Sequence, residues 1–378
     1  MTPLDASFRD ALLDVARRAR LLPLDHPRFP AVVAEMTRKY NDPSLANLRT
    51  APDDELAARL GFWFPRDLRK VEGAVRELQL EVPADRPLRV VDLGAGLGAS
   101  HRGLLRGLGG AGLVEVLAVD DDPRALSLAS ELAKKLGGEG ERRLELRTEQ
   151  ASFAAFVARI KPVDVVLVGQ VLGELDRGEP EEVRQTRHAE MLEVLARKAQ
   201  TLIVVEPALR LRARHLQHLR AALIARGLHI HAPCLHEGAC PQLTKETDWC
   251  HEDLPIDLPE WLVPVARAAG LRFEGLTFSH LVVRKEPRAA TRPRLRAVSG
   301  PLVSKGKREL LVCGAPLVDP SQHGLRLGRL DRAKSRENEA FDDLVRGDVF
   351  ELEPHAVDEK GRLGATTRVV RGVPRGPT

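Results

Sequence analysis

Val90-Val91-Asp92-Leu93-Gly94-Ala95-Gly96-Leu97-Gly98 constrains the fold more than any other stretch of this chain. A short β-branched run ends in three glycines at alternate positions. Glycine reaches left-handed backbone angles without a Cβ penalty, so the loop can turn sharply and approach a ligand closely. Three further β-type runs follow, at 113–119, 163–168 and 201–205, and a last one covers 276–283. Helical stretches at 123–136 and 183–198 separate the earlier ones. Strands alternating with helices predict an α/β fold with a parallel, doubly wound sheet.

Two kinds of ligand compete for such a loop. A dinucleotide sets its pyrophosphate on the helix N-terminus, usually over Gly-x-Gly-x-x-Gly. S-adenosylmethionine (SAM) has no phosphate, and its sites favour an acid just before the glycines. The run Asp92-Leu93-Gly94-Ala95-Gly96 resembles that methyltransferase motif. Asp120 ends the next strand, about twenty residues on, where a carboxylate can take both ribose hydroxyls. Val163-Asp164-Val165-Val166, followed by Gly169-Gln170-Val171-Leu172, resembles the fourth-strand segment of the same superfamily. The resemblance implies a class I SAM-methyltransferase (Rossmann-like) fold, with Asp92, Gly94, Ala95, Gly96, Gly98, Asp120, Asp121 and Gln170 binding the cofactor. A similar sheet that no longer binds a cofactor is the competing reading. The Asn/Asp-Pro-Pro-Tyr of many N-methylating enzymes is missing after 163–168, and Cys234 lies in the wrong place for a cytosine C5 nucleophile. No catalytic residue is assigned.

At 378 residues, two or three domains are expected. Residues 1–86 read as helical, with Phe8, Leu12, Val15 and Ala16 on one stripe and Leu68, Val71, Val75 and Leu78 on another. Residues 87–286 form the methyltransferase-like domain, with a cysteine-rich loop at 233–255. Composition breaks at Pro287, and 287–378 reads as a basic, β-rich module. That module holds 18 Lys and Arg against 12 Asp and Glu, a balance of +6 within a chain of net charge +4. A basic quarter on a near-neutral body suits a polyanion, though a solvated surface gives the same count. No apolar run reaches the ~18 residues of a membrane span. The first ten residues lack a hydrophobic leader, so a cytoplasmic location is expected. Nothing implies an oligomer.

The chain has four cysteines, Cys234, Cys240, Cys250 and Cys313. In a reducing compartment, clustered thiols favour metal over disulfides. Structural zinc sites usually use short Cys-x2–4-Cys knuckles, and no pair here closes one. His236 and His251 flank the cysteines and could replace a ligand, so zinc remains an alternative. An iron–sulfur cluster takes four thiolates and tolerates a remote fourth.

Gly238-Ala239-Cys240-Pro241 and Asp248-Trp249-Cys250-His251 resemble the signature of the mitochondrial small-ribosomal-subunit methyltransferase-like proteins and their bacterial relatives. Pro233-Cys234-Leu235-His236 stands where that family has a Cys-Pro-His type element, and Leu310-Leu311-Val312-Cys313 carries its fourth cysteine. Phe278-Ser279-His280-Leu281-Val282-Val283-Arg284 is similar to its closing strand. The resemblance, from about Leu60 to Leu330, implies a SAM fold, a four-cysteine [4Fe–4S] cluster and binding to small-subunit ribosomal RNA during assembly or translation. It leaves methyl transfer open. An active rRNA methyltransferase, or a methyltransferase of a small molecule or protein, are the alternatives. The chain departs from the family at Glu206-Pro207-Ala208-Leu209-Arg210, where a Gly-Thr-Pro type turn is more usual, and in the length between Cys240 and Cys250. Arg210, Arg212, Arg214, Arg220 and Arg226, with no acid between Glu206 and Glu237, suggest a phosphate-contacting helix face, joined by the 292–308 run. An ordinary solvated helix face is the alternative.

Overall fold

The structure, a computed structural model, describes residues 3–41, 52–289 and 292–372. The chain forms two compact units, Met1–Gly169 with Pro255–Leu276, and Gln170–Leu254 with Thr277–Thr378.

The first unit opens with helices. In α1 (Ala6–Arg18) the Asp5 carboxylate caps the Phe8 N–H at 3.1 Å, and the expected stripe is buried. After α2 (Phe29–Asn41), α3 (Pro52–Ala58) runs into a π-helix, Arg59–Trp63, and then into α4 (Phe64–Leu78). Gly61 lies inside the π turn because the Phe29 ring comes within 2.6 Å of where a Cβ would sit. The strands are β1 (Leu88–Leu93), β2 (Gly112–Asp120), β3 (Arg142–Gln150) and β4 (Val163–Gly169), in the order β3-β2-β1-β4 and all parallel. Between them lie α5 (Ala99–Gly107), α6 (Pro123–Leu136) and α7 (Phe153–Val157). β3 escapes the pattern reading because it alternates Leu144 and Leu146 with Arg and Glu on a half-exposed edge. Strand order reverses at β1, so the crevice beyond the carboxyl ends of β1 and β4 is a topological switch point, where open α/β sheets take ligands.

α4 and α5 pack closely. A Cβ on Gly103 would collide with the Leu68 carbonyl, and one on Gly107 would sit 2.8 Å from Val75 Cβ. Beside this contact Glu72 is buried and accepts from Arg69 at 2.8 Å and Arg106 at 3.3 Å, while Arg102 and Arg106 reach Glu139 at 3.0 Å.

The second unit begins with α8 (Glu181–Lys198), β5 (Ala199–Pro207), α9 (Arg210–Ala225), β6 (His229–Ala232), β7 (Glu252–Leu254) and β8 (Leu276–Arg284). β8 runs antiparallel to both β5 and β6, and β7 also pairs with it. The doubly wound sheet of the sequence reading is thus parallel in its first strands and takes an antiparallel strand, β8, whose direction that reading left unstated. A fully buried apolar strand reads the same in either direction, and antiparallel strands commonly join parallel sheets. The 287–372 stretch forms a second, antiparallel sheet: β9 (Leu295–Ala297), β10 (Leu302–Ser304), β11 (Lys307–Gly314), β12 (Gly324–Leu330), β13 (Val349–Glu353) and β14 (Arg368–Arg371). Its order is β10-β11-β9-β13-β14, with β12 on β11. Leu310, Val312, Leu327, Phe341 and Phe350 fill its core. Among the described residues, no helix is long and apolar enough to cross a membrane.

Candidate cofactor loop and four-thiol site

The glycine loop stands at the switch point. Gly94, Gly96 and Gly98 have φ of 72°, 51° and 86°, angles that disfavour any residue with a Cβ. Asp92 is fully buried, and its Oδ2 accepts from the His101 N–H at 3.1 Å while lying 2.8 Å from His101 Nδ1. Asp92 thus braces the start of α5 from below. Its His101 partner was not anticipated; the ring lies over Gly98, in the space a Cβ would take. Asp120 Oδ2 accepts from the Gly96 N–H at 2.7 Å and Oδ1 from the Asp122 N–H at 3.0 Å. Burial raises its carboxyl above the usual range, against those two backbone bonds and the nearby Arg59 charge. Arg59 is a second residue that sequence reading missed. Its guanidinium lies 2.6 Å from where a Gly96 Cβ would be, carried there by the π-helix. Ala95 is buried, its N–H bonded to the Val119 carbonyl at 3.0 Å, and Asp121 is exposed, its carbonyl taking the Gln150 side chain at 3.2 Å.

Gln170 belongs to the second unit. It has φ of 61°, its N–H donates to the Val205 carbonyl at 2.7 Å, and its side-chain nitrogen is buried without a hydrogen-bond partner. The next two N–H groups, of Val171 and Leu172, donate to Glu206 Oε1 at 3.0 and 2.9 Å. Burial pushes the Glu206 carboxyl up to about 7. The acid that departs from the family turn is therefore an internal brace for the segment after β4.

The four cysteines come together. Cys234, Cys240 and Cys250 lie between β6 and β7, Cys313 lies on β11, and all four line one pocket with Arg220, Gln217, His236, His251, Glu252 and His280. The thiols feel each other: burial and the neighbouring sulfurs push Cys240, Cys250 and Cys313 up. The four cysteines are partly buried, and thiols gathered round one pocket become cation donors once they lose their protons. Among the described residues, no three or more His, Cys, Asp or Glu side chains already stand at metal-ligating geometry. Nitrogen donors face two of the sulfurs. Arg220 Nε lies 3.1 Å from Cys234 Sγ, and His236 Nε2 lies 3.1 Å from Cys313 Sγ. The main chain of Cys250 is fixed by Gln217 at 3.3 Å and Ser279 at 3.0 Å. Opposite Cys313 in register, Arg296 forms a buried ion pair with Glu252 at 3.0 Å.

The arginines of α9 divide. Arg214 Nη1 donates to the carbonyls of Lys245 and Asp248, each at 2.8 Å. Arg220 is 1% exposed and holds the carbonyls of Gly238 and His236 at 3.0 and 2.6 Å. Arg226 pairs with Glu193 at 3.2 Å. These three face the protein rather than a phosphate chain: Arg214 and Arg220 because the carbonyls of an irregular loop need donors, and Arg226 because it is taken by Glu193. Arg210 remains exposed. In the 292–308 run, Arg296 is buried, Arg308 bonds the Asp342 carbonyl, Arg292 and Lys307 pair with Glu353 and Glu309 at 2.8 and 2.9 Å, and Lys305 is exposed.

A family model described as mitochondrial small ribosomal subunit Rsm22 matches residues 57–318. The chain belongs to the Rsm22 family. The matched span starts just before Arg59 and ends just after Cys313, so it takes in the glycine loop and all four thiols of this Rsm22 family member. No curated protein matches the chain. Among solved structures, the plantazolicin methyltransferase BpumL in complex with SAH is similar at 11% identity and a TM-score of 0.36, over 72% of this chain and 100% of that one. Aeropyrum pernix fibrillarin with natively bound S-adenosyl-L-methionine is similar at 13% identity and a TM-score of 0.30, over 58% and 76%. M. capricolum TrmK in complex with S-adenosyl-homocysteine is similar at 12% and 0.32, over 58% and 70%. The order and parallel pairing of β3-β2-β1-β4, rather than these scores, show the α/β, Rossmann-like fold.

Proposed function

We propose that this Rsm22 family member binds SAM, carries a [4Fe–4S] cluster on Cys234, Cys240, Cys250 and Cys313, and binds small-subunit ribosomal RNA in assembly or translation. The observation that carries the reading is the convergence of all four cysteines on one pocket, within a chain whose family is described by the small ribosomal subunit. Four thiolates satisfy such a cluster without help, whereas His236 and His251, which line the same pocket, keep zinc as the alternative.

SAM, when bound, supplies an activated methyl group. The chain's part would be to hold it: the glycines of the 94–98 loop leave room for its close approach, Asp120 would take the ribose hydroxyls, and the Arg59 guanidinium beside Gly96 would add positive charge for the cofactor's carboxylate. Asp92 acts from behind by fixing His101 and α5. RNA contact would fall to exposed cations such as Arg210 and Lys305, and rests on the family and on the basic C-terminal module rather than on the whole of α9.

The RNA reading is tested by binding to small-subunit ribosomal RNA across a salt series. Affinity should fall steeply with salt, because phosphate contacts release counterions. Equal, salt-insensitive affinity for ribosomal RNA and a neutral polymer would contradict it. Labelled methyl transfer to immature small-subunit particles distinguishes a catalyst from a binding factor.

A further inference from the structure

Arg220 sits at mid-helix in α9 and is 1% exposed. Its three nitrogens have separate tasks. Nε–H donates to Cys234 Sγ at 3.1 Å, while Nη1 and Nη2 donate to the Gly238 and His236 carbonyls at 3.0 and 2.6 Å. None of these described partners is a carboxylate. A buried guanidinium is costly without compensating partners, and the one side chain it touches here is Cys234, through its sulfur, beside two loop carbonyls. The planar fork explains the choice of arginine: one rigid group touches a sulfur and two loop carbonyls at once, which a lysine ammonium cannot do.

We propose that Arg220 is the positioning residue of the four-thiol site: it aims Cys234 at the bound metal group, fixes the 234–238 loop, and supplies the positive charge that offsets the thiolates. The inference rests on the four-thiolate reading above. N–H···S contacts and nearby charge tune metal–thiolate centres through the ligand sulfur. Arg220 therefore favours the reduced state of a cluster and slows metal loss. Arg214 provides an internal comparison. It staples the same loop through the Lys245 and Asp248 carbonyls, and its described hydrogen bonds all go to backbone oxygens, none to a sulfur.

The test uses the full-length protein purified anaerobically, with R220Q, R220K and R214Q alongside wild type. Metal content, midpoint potential, the visible charge-transfer band and the rate of metal loss to a chelator are measured, with thermal unfolding as the folding control. R220Q should move the midpoint to more negative values, shift the band and speed metal loss about tenfold, the usual low end for the loss of an outer-shell partner. R220K should recover most of the midpoint, since it keeps the charge, but not the slow metal loss, since it lacks the fork. R214Q should speed metal loss while leaving midpoint and band unchanged. If R220Q fails to fold, R220K against R214Q still decides. Midpoint, band and release rate indistinguishable from wild type in R220Q, or in R220K should it stand alone, overturn the proposal. Zinc in place of iron removes the cluster reading, but slow release lost in R220Q and not restored in R220K would still support Arg220. A wild-type chain that takes up neither metal overturns both.

Discussion

Asp120 shows how one residue can be legible by position and still hold a surprise. Its spacing from the glycines marks it as the ribose carboxylate, yet its Oδ2 is already bonded to the Gly96 N–H at 2.7 Å. It shapes the loop itself, through the Gly96 and Asp122 N–H groups. Asp120→Ala should weaken SAM binding about 10- to 100-fold, as expected for losing charged hydrogen bonds, read by calorimetric titration; an unchanged Kd would remove Asp120 from the site. Glu206 was legible only as a departure from a turn pattern. Its ordinary value is 4.5, and burial raises it to about 7 in the folded chain. Below pH 4.5 both states hold the proton; between 4.5 and 7 the unfolded chain releases it while the folded chain keeps it. Stability is therefore lost as pH rises through that window. Glu206→Gln keeps an acceptor for the Val171 and Leu172 N–H groups but cannot ionise. Wild type should lose about 3 kcal/mol relative to this variant across the window, measured by denaturant unfolding at several pH values. Parallel curves would show that Glu206 ionises freely in the fold. Arg214 and Arg220 were misread for a physical reason: composition shows that a helix is basic, but not that the next loop is irregular and needs donors for its carbonyls.

Among elements, the parallel strands were the most legible. β1 is found where the short run before the glycines places it, at Leu88–Leu93, because that run is bounded by a proline-containing turn and the glycine loop. β3 was missed because an edge strand of alternating Leu and charge looks like a polar connector. β6 and β7 span four and three residues, too short to raise a periodic signal. The π-helix at Arg59–Trp63 was also hidden, since a one-residue widening of a helix leaves no compositional trace. The α4–α5 contact rests on glycines whose need is purely steric. Gly103→Ala should destabilise the protein by about 1–3 kcal/mol, the range for overpacked cores, because its new methyl meets the Leu68 carbonyl. Urea unfolding checks this, and a stabilised variant, as helix propensity alone would give, contradicts it.

At the scale of the whole molecule, Cys313 is remote in sequence from the 234–250 loop and yet lines the same pocket as its three cysteines. What spacing could not foretell is the support around it. The buried Arg296–Glu252 pair couples β9 to β7, and the antiparallel β8 receives both β6 and β7. Such partners are scattered through the sequence and share no motif. The second unit is thus organised around its thiols, with α9 as the donor of guanidiniums to the loop. If a metal group completes that centre, its binding energy is also folding energy for this unit. The most direct measurement is iron, acid-labile sulfide and zinc analysis of anaerobically purified protein, with wild type set beside Cys234→Ser and Cys313→Ser. The account predicts a brown wild-type protein with iron and sulfide in equal amounts, and depleted iron with a lowered Tm in both variants. A colourless wild-type protein free of iron, with thermal stability indifferent to either cysteine, would contradict it.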